Sequence, residues 1–289
     1  MELKELIQKL SVIDKKLPHC SNLKTKALNE NTSKGKSAIL TKEIVTHYLK
    51  YFEAVKKLDK IKDPEKWIAS ALKHFEVYYS EIKSDKYRIF SHQSDFLSSL
   101  LPEFLYMLYV KFVISIHKEF IIETQKDLVI DLSFLPYSTS AINFKSKRVD
   151  VAILKPCLFA VNKEKLSDFN IALVAIEVKT NLDKNMIGGV EYSVQRLKRT
   201  FPLCKYYLIS ELADFAYEKQ NYAASAIDEI LITRKQKRSE VRRDSTKLNP
   251  VDPDLMFNHL KEVLQFLEKV VEAPVVLSRR LKKGKLIKS

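Results

Sequence analysis

Apolar positions in the first ninety residues recur at helical spacing. MELKELIQKLSVIDKK opens the chain as an amphipathic pattern with charges mixed throughout and no apolar signal core, so it reads as a helix and not as a secretory leader. Asn29 to Lys36, NENTSKGK, is polar and marks a loop. Asp63-Pro64-Glu65 then supplies an N-cap, a proline at the first helical position and an early carboxylate, ahead of Trp67, Ile68, Leu72, Phe75 and Tyr79.

The most apolar stretch, residues 96 to 116, is long enough to raise the question of a membrane span. Glu103 and Lys111 inside it would each cost about 2.5–3.5 kcal/mol near a bilayer centre. A buried helix of a globular fold fits better, with Pro102 in its first turn, an end near His117, and an apolar stripe of Phe104, Leu105, Leu108, Tyr109, Phe112 and Val113.

After residue 120 the pattern turns to short β-like runs at Leu128 to Leu132, Arg148 to Leu154, Leu158 to Val161 and Ile171 to Thr180. A helix follows from about Met186 to Arg199, then strands at Cys204 to Ser210 and Glu229 to Thr233. Asp252-Pro253-Asp254 caps a last helix that runs to about Lys269. This order predicts an α/β fold, a mixed central β-sheet flanked by helices, with a helical N-terminal region. The expected division is residues 1–88 helical, 89–235 the α/β core, and 236–289 a basic loop, a helix and a basic tail.

The run IALVAIEVKT, residues 171 to 180, carries two charges at its end. Side chains alternate across a strand, so Glu177 and Lys179 share one face while Ile176, Val178 and Thr180 occupy the other. A strand apolar on both faces that becomes charged on one suggests an end opening into a cleft. Upstream, KSKRVDVAIL sets Asp150 inside another apolar strand, where a lone carboxylate is costly unless paired or metal-bound. Two converging carboxylates would bind a hard divalent cation such as Mg²⁺, and the lysine could orient a water and offset charge on a scissile phosphate. The bland reading is a same-face pair on an edge strand, with Asp150 capping a turn.

Charge points to a partner of the same kind. Fifty Lys and Arg against thirty-six Asp and Glu leave a formal +14, enough to attract a polyanion with strong salt dependence. The basic segment RKQKRSEVRR, residues 234 to 243, puts Arg234, Lys235, Lys237, Arg238, Arg242 and Arg243 just past a sheet strand, where they could reach phosphates or guanine edges, phosphate contact being the simpler role, and Gln236 could read an adenine edge. The tail SRRLKKGKLIK is basic as well.

Other chemistries lack their signals. The six histidines show neither HxxxH nor HxH spacing, and Cys20, Cys157 and Cys204 include no CxxC pair. No GxGxxG, GxxxxGK[ST] or GxSxG is present. Gly188-Gly189 falls near a helix start and reads as a close-packing or DNA-approach feature.

VDVAIL followed by IALVAIEVKTNLDKNM resembles the PD-(D/E)XK nuclease signature, with Val149 where that family often has proline. AIEVKTNLDKNM, PLCKYYLISE and DEILITRKQKR, in that order, resemble the BbvCI-type restriction endonucleases over roughly residues 90 to 270. The resemblance implies a bacterial cytoplasmic enzyme that hydrolyses double-stranded DNA with Mg²⁺, one strand per subunit, as a heterodimer with a related subunit or as a homodimer, and with no membrane. It implies Asp150, Glu177 and the Val178 carbonyl as metal ligands and Lys179 as the water-positioning base. Glu103 is a weaker candidate for an added acidic ligand, against a plain first-turn carboxylate favoured by the helix dipole. A repair or junction nuclease of the same superfamily, a non-catalytic DNA-binding module and a plain scaffold stay open as alternatives.

Overall fold

The computed structural model describes residues 2–33, 35–90, 98–134, 142–157, 159–161, 164–166, 170–219, 222, 224–270, 282 and 284. The basic tail, apart from Lys282 and Gly284, the start of the long apolar stretch and Leu158 of the expected third strand lie outside them.

Four helices lead the chain: α1 (Leu3–Ser11), α2 (Pro18–Glu30), α3 (Lys36–Lys57) and α4 (Pro64–Ile82). The α4 cap forms as its sequence dictates, the Asp63 carboxylate accepting from the Glu65 and Lys66 N–H groups. The apolar helix α5 (Leu100–Phe112) is shorter than its sequence predicts and gives way to turns at Val113. Val113, Ile114, Ser115 and Ile116 explain the early stop, since β-branched and hydroxyl residues are poor helix formers. Among the described residues no helix is long and apolar enough to cross a membrane.

The sheet follows. Its strands are β1 (Ile121–Phe134), β2 (Ile142–Pro156), β5 (Asn170–Leu182), β6 (Lys205–Ala213) and β7 (Glu229–Ile232), in that spatial order. The β1/β2 and β2/β5 pairs are antiparallel and the β5/β6 and β6/β7 pairs parallel, which makes the sheet mixed as expected. Two three-residue strands, β3 (Phe159–Val161) and β4 (Glu164–Leu166), form a small separate hairpin. Helix α6 (Lys184–Thr200) is the crossover that lets β5 and β6 run parallel. Helix α7 (Arg238–Val241) is a single turn, and α8 (Pro253–Val270) closes the described fold.

Two cores fix the sheet. On one face Val151, Ile153, Val174, Ile176, Tyr207, Ile209 and Leu231 pack with the N-terminal helices and α8. On the other, Ala152, Ala175, Tyr206 and Leu208 pack against Val190, Val194 and Leu197 of α6. Burial on both sides is why β5 reads as a continuous apolar run. The N-terminal helices therefore share one core with the sheet.

Candidate active site

The apolar run of β5 ends where its pairing with β2 ends. The last β2/β5 partners are Val151 and Ile176, so Asp150 and Glu177 are the next residues beyond that ladder. With no strand partner there, the main-chain N–H of Val178 donates instead to Asp150 Oδ2 at 2.7 Å. Asp150 is thereby held against the residue between Glu177 and Lys179. On β5 itself, Lys179 Nζ lies 2.9 Å from Glu177 Oε1, as alternation along a strand predicts. Asp150, Glu177 and Lys179, three positions singled out in the sequence, are brought together.

Three further residues complete the cluster. Lys147 of β2 places Nζ 2.8 Å from Glu177 Oε2, and the Tyr206 hydroxyl of β6 donates to the same oxygen. Gln125 of β1 donates its side-chain amide to Asp150 Oδ1 at 2.8 Å. Gln125 has φ +48°, one of two described non-glycine residues at positive φ, and such costly backbone concentrates at functional sites. Local pattern could not reveal these three, because their roles depend on which strands pair and in what register; the only hint was Lys147 lying in KSKR, three residues before Asp150.

The electrostatics separate the two carboxylates. Burial pushes the Asp150 carboxyl up, against the opposing pull of the Val178 N–H, the Gln125 amide and Lys179. Burial would raise Glu177 too, but Lys147, Tyr206 and Lys179 together outweigh it and hold that carboxyl below its usual range.

The donor set suits a hard, oxygen-liganded divalent ion. Asp150 and Glu177 offer four carboxylate oxygens. Among the described residues no cluster of three or more His, Cys, Asp or Glu side chains could hold a metal. An ion at this site would therefore draw its remaining ligands from main-chain carbonyl groups and water, as Mg²⁺ does, and not from a thiolate or imidazole cage.

Other residues singled out in the sequence lie elsewhere. Glu103 is fully buried in the helical layer, where Oε2 accepts the Cys20 N–H at 2.8 Å. That bond caps the first turn of α2, so Glu103 serves the start of a neighbouring helix and has none of the site residues as a partner, which removes it from the ligand set.

Arg234 is only 1% exposed. Its guanidinium meets Glu211 at 2.9 Å, Glu76 at 3.1 Å and the Asn249 carbonyl at 2.6 Å, and stacks 4.3 Å from the Tyr79 ring centroid. A buried arginine with these partners cannot reach a phosphate and is removed from the DNA-contact set. The Gln236 amide bonds the Lys247 carbonyl and the Asn249 N–H, shaping its own loop. Lys235, Lys237 and Arg238 pair with Asp252, Glu218 and Asp214, while Arg242 and Arg243 are exposed.

The glycine pair lies within α6, and a Cβ added at Gly188 or Gly189 would meet nothing within 4 Å. Close packing inside the chain is therefore not what these glycines serve.

Residues 98–283 match the pattern of the Bpu10I restriction endonuclease family. The chain is similar in structure to the native BbvCI A2B2 tetramer, at 26% identity over 90% of this chain and 98% of that one, with a TM-score of 0.67. A restriction endonuclease PspGI–substrate DNA complex is more distant, at 15% identity over 83% of this chain and 95% of that one, with a TM-score of 0.38. No curated protein matches.

Proposed function

Because this chain belongs to the Bpu10I restriction endonuclease family, matching it over residues 98–283, we propose that the cluster on β2 and β5 is its phosphodiester-cleaving centre. The observation that carries this reading is the Asp150 carboxylate bonded to the main chain between Glu177 and Lys179. Restriction endonucleases of this kind use a divalent metal, and the hard oxygen donors here favour Mg²⁺. When bound, the ion polarises a phosphoryl oxygen and lowers the pKa of a water.

The chain's own residues divide the remaining work. Asp150, Glu177 and the Val178 carbonyl would hold the ion; in an extended strand that carbonyl leaves on the same side as the N–H that meets Asp150. Lys179, partly exposed and seated on Glu177, positions the attacking water and, as an ammonium, offsets charge on the scissile phosphate. Gln125 fixes the rotation of the Asp150 carboxylate, and Tyr206 that of Glu177. Lys235, Lys237, Arg238, Arg242 and Arg243 are the basic-segment residues able to meet DNA phosphates, after exchanging or supplementing their acidic partners.

One such centre per chain cuts one strand, so a double-strand break in a site-specific reaction takes two chains. A related second subunit is favoured, since the similar BbvCI structure is an A2B2 tetramer of two kinds of chain. Residues 1–88 would serve recognition or subunit contact, 89–235 the chemistry, and 236–289 DNA binding. A bacterial cytoplasmic location is part of the same reading.

The test is incubation of the purified chain with mixed plasmid DNA and Mg²⁺, with and without a neighbouring paralogue, followed by sequencing of the ends. Metal-dependent ends at one short recurring sequence are expected. Binding without cleavage under every pairing would favour a non-catalytic module, and ends that follow branched shape instead of sequence would favour a junction nuclease.

A further inference from the structure

The sequence signature supplies the site with one lysine, but the fold brings two. Lys179 neutralises Glu177 from the same strand and the same face, at Oε1. The second ammonium, Lys147, takes the other oxygen, Oε2, already an acceptor for the Tyr206 hydroxyl. Asp150, Glu177, Lys147 and Lys179 therefore sum to zero charge, and both Glu177 oxygens are occupied.

How Lys147 is anchored differs from how Lys179 is. Lys147 sits in the part of β2 that precedes its ladder with β5 and is paired only with Leu128 of β1. Only its side chain reaches across to β5, so the ammonium can withdraw without breaking a main-chain hydrogen bond. The side chains of Lys147 and Glu177 are only 16% and 10% exposed, so the contact is a shielded one. Residues 143–146 and Arg148 on either side are exposed, which leaves water within reach of a long, flexible stem.

We propose that Lys147 is a resident stand-in cation: its ammonium occupies the Glu177 oxygen that a divalent ion needs, and must leave it for the ion to bind. Resting on the reading of Glu177 as a metal ligand, this makes Lys147 a positioning residue that sets the metal affinity of the centre. A dication and an ammonium cannot share one carboxylate oxygen at close range without strong repulsion. Metal binding is therefore an exchange of cations, and removing one competitor tightens the other.

The experiment is Mn²⁺ titration of the full-length chain, followed by electron paramagnetic resonance of free Mn²⁺, on wild type, Lys147→Met, Lys147→Arg and Glu177→Gln, each checked for folding by circular dichroism. Lys147→Met is expected to bind Mn²⁺ about tenfold more tightly, the scale of one hydrogen bond to a charged group, while Lys147→Arg stays within about threefold of wild type. Tighter binding is a gain that partial unfolding cannot produce. Unchanged or weaker affinity in Lys147→Met, with binding lost in Glu177→Gln, overturns the role of Lys147 and leaves the site standing. Wild-type Mn²⁺ binding in Glu177→Gln overturns the site itself.

Discussion

The Val178 N–H and the Asp150 carboxylate, 28 residues apart in sequence, meet at 2.7 Å where the β2/β5 ladder ends. A main-chain donor beyond the end of the β2/β5 ladder orients a carboxylate, and the strand that supplies it carries Glu177 and Lys179. Asp150→Asn, Glu177→Ala and Lys179→Ala are each expected to lower plasmid cleavage by about 10²–10⁴-fold, the range for losing a general base or its equivalent. Circular dichroism and filter-binding affinity should stay near wild type. Full cleavage by any purified variant would remove that residue from the reaction.

Gln125 couples backbone strain to the site. Relief of the left-handed conformation in Gln125→Gly, about 1–2 kcal/mol, is about half offset by the extra freedom glycine gives the unfolded chain, about 0.5–1 kcal/mol, and the lost side-chain hydrogen bond to Asp150 removes about another 1 kcal/mol. Thermal stability should therefore change little, whereas cleavage should fall about 10–100-fold as Asp150 loses its side-chain partner. Melting and rate measurements on the same preparation separate the two effects.

Arg234 and its neighbours should part ways. Arg234→Met strands Glu211, itself buried, and is expected to cost about 3–5 kcal/mol, read as a fall in melting temperature on the order of 10 °C. Arg242→Ala and Arg243→Ala should leave the melting temperature alone and each reduce the slope of log affinity against log salt by about 1. An unchanged slope in both would take the exposed arginines out of the DNA contact.

Glu103 gives the fold a pH dependence. Burial raises its carboxyl from 4.5 to about 7, against the Cys20 and His19 N–H groups and the Tyr48 hydroxyl that favour the charged form. The folded state then binds more protons than the unfolded chain between these values. This contribution to stability is fully present below about pH 4.5 and is lost as pH rises through about 7, a change on the order of 3 kcal/mol. Urea unfolding from pH 4.5 to 8 should show that decline in wild type and lose it in Glu103→Gln.

The sheet was legible where burial on both faces wrote a continuous apolar run, as in β5, and where a cap was spelled out, as at Asp63-Pro64. The convergence of Asp150, Glu177 and Lys179 was legible for the same reason, since a charge inside such a run has few structural excuses. Its supporting residues were not, because Gln125, Lys147 and Tyr206 reach the site through strand pairing that no local period encodes. Arg234 misled for the opposite reason. It stands at the head of a basic run that looks solvated, yet its burial is set by Glu76, 158 residues earlier, and by Glu211.

That same guanidinium stitches α4 to the sheet face it covers, with Glu76 on the helix, Glu211 on β6 and the Asn249 carbonyl ahead of α8 as its three anchor points. Excising the leading helices to obtain a minimal catalytic fragment would leave an orphaned cation in an opened hydrophobic wall. Engineers who wish to graft this nuclease onto another recognition module must carry the helical half along with it.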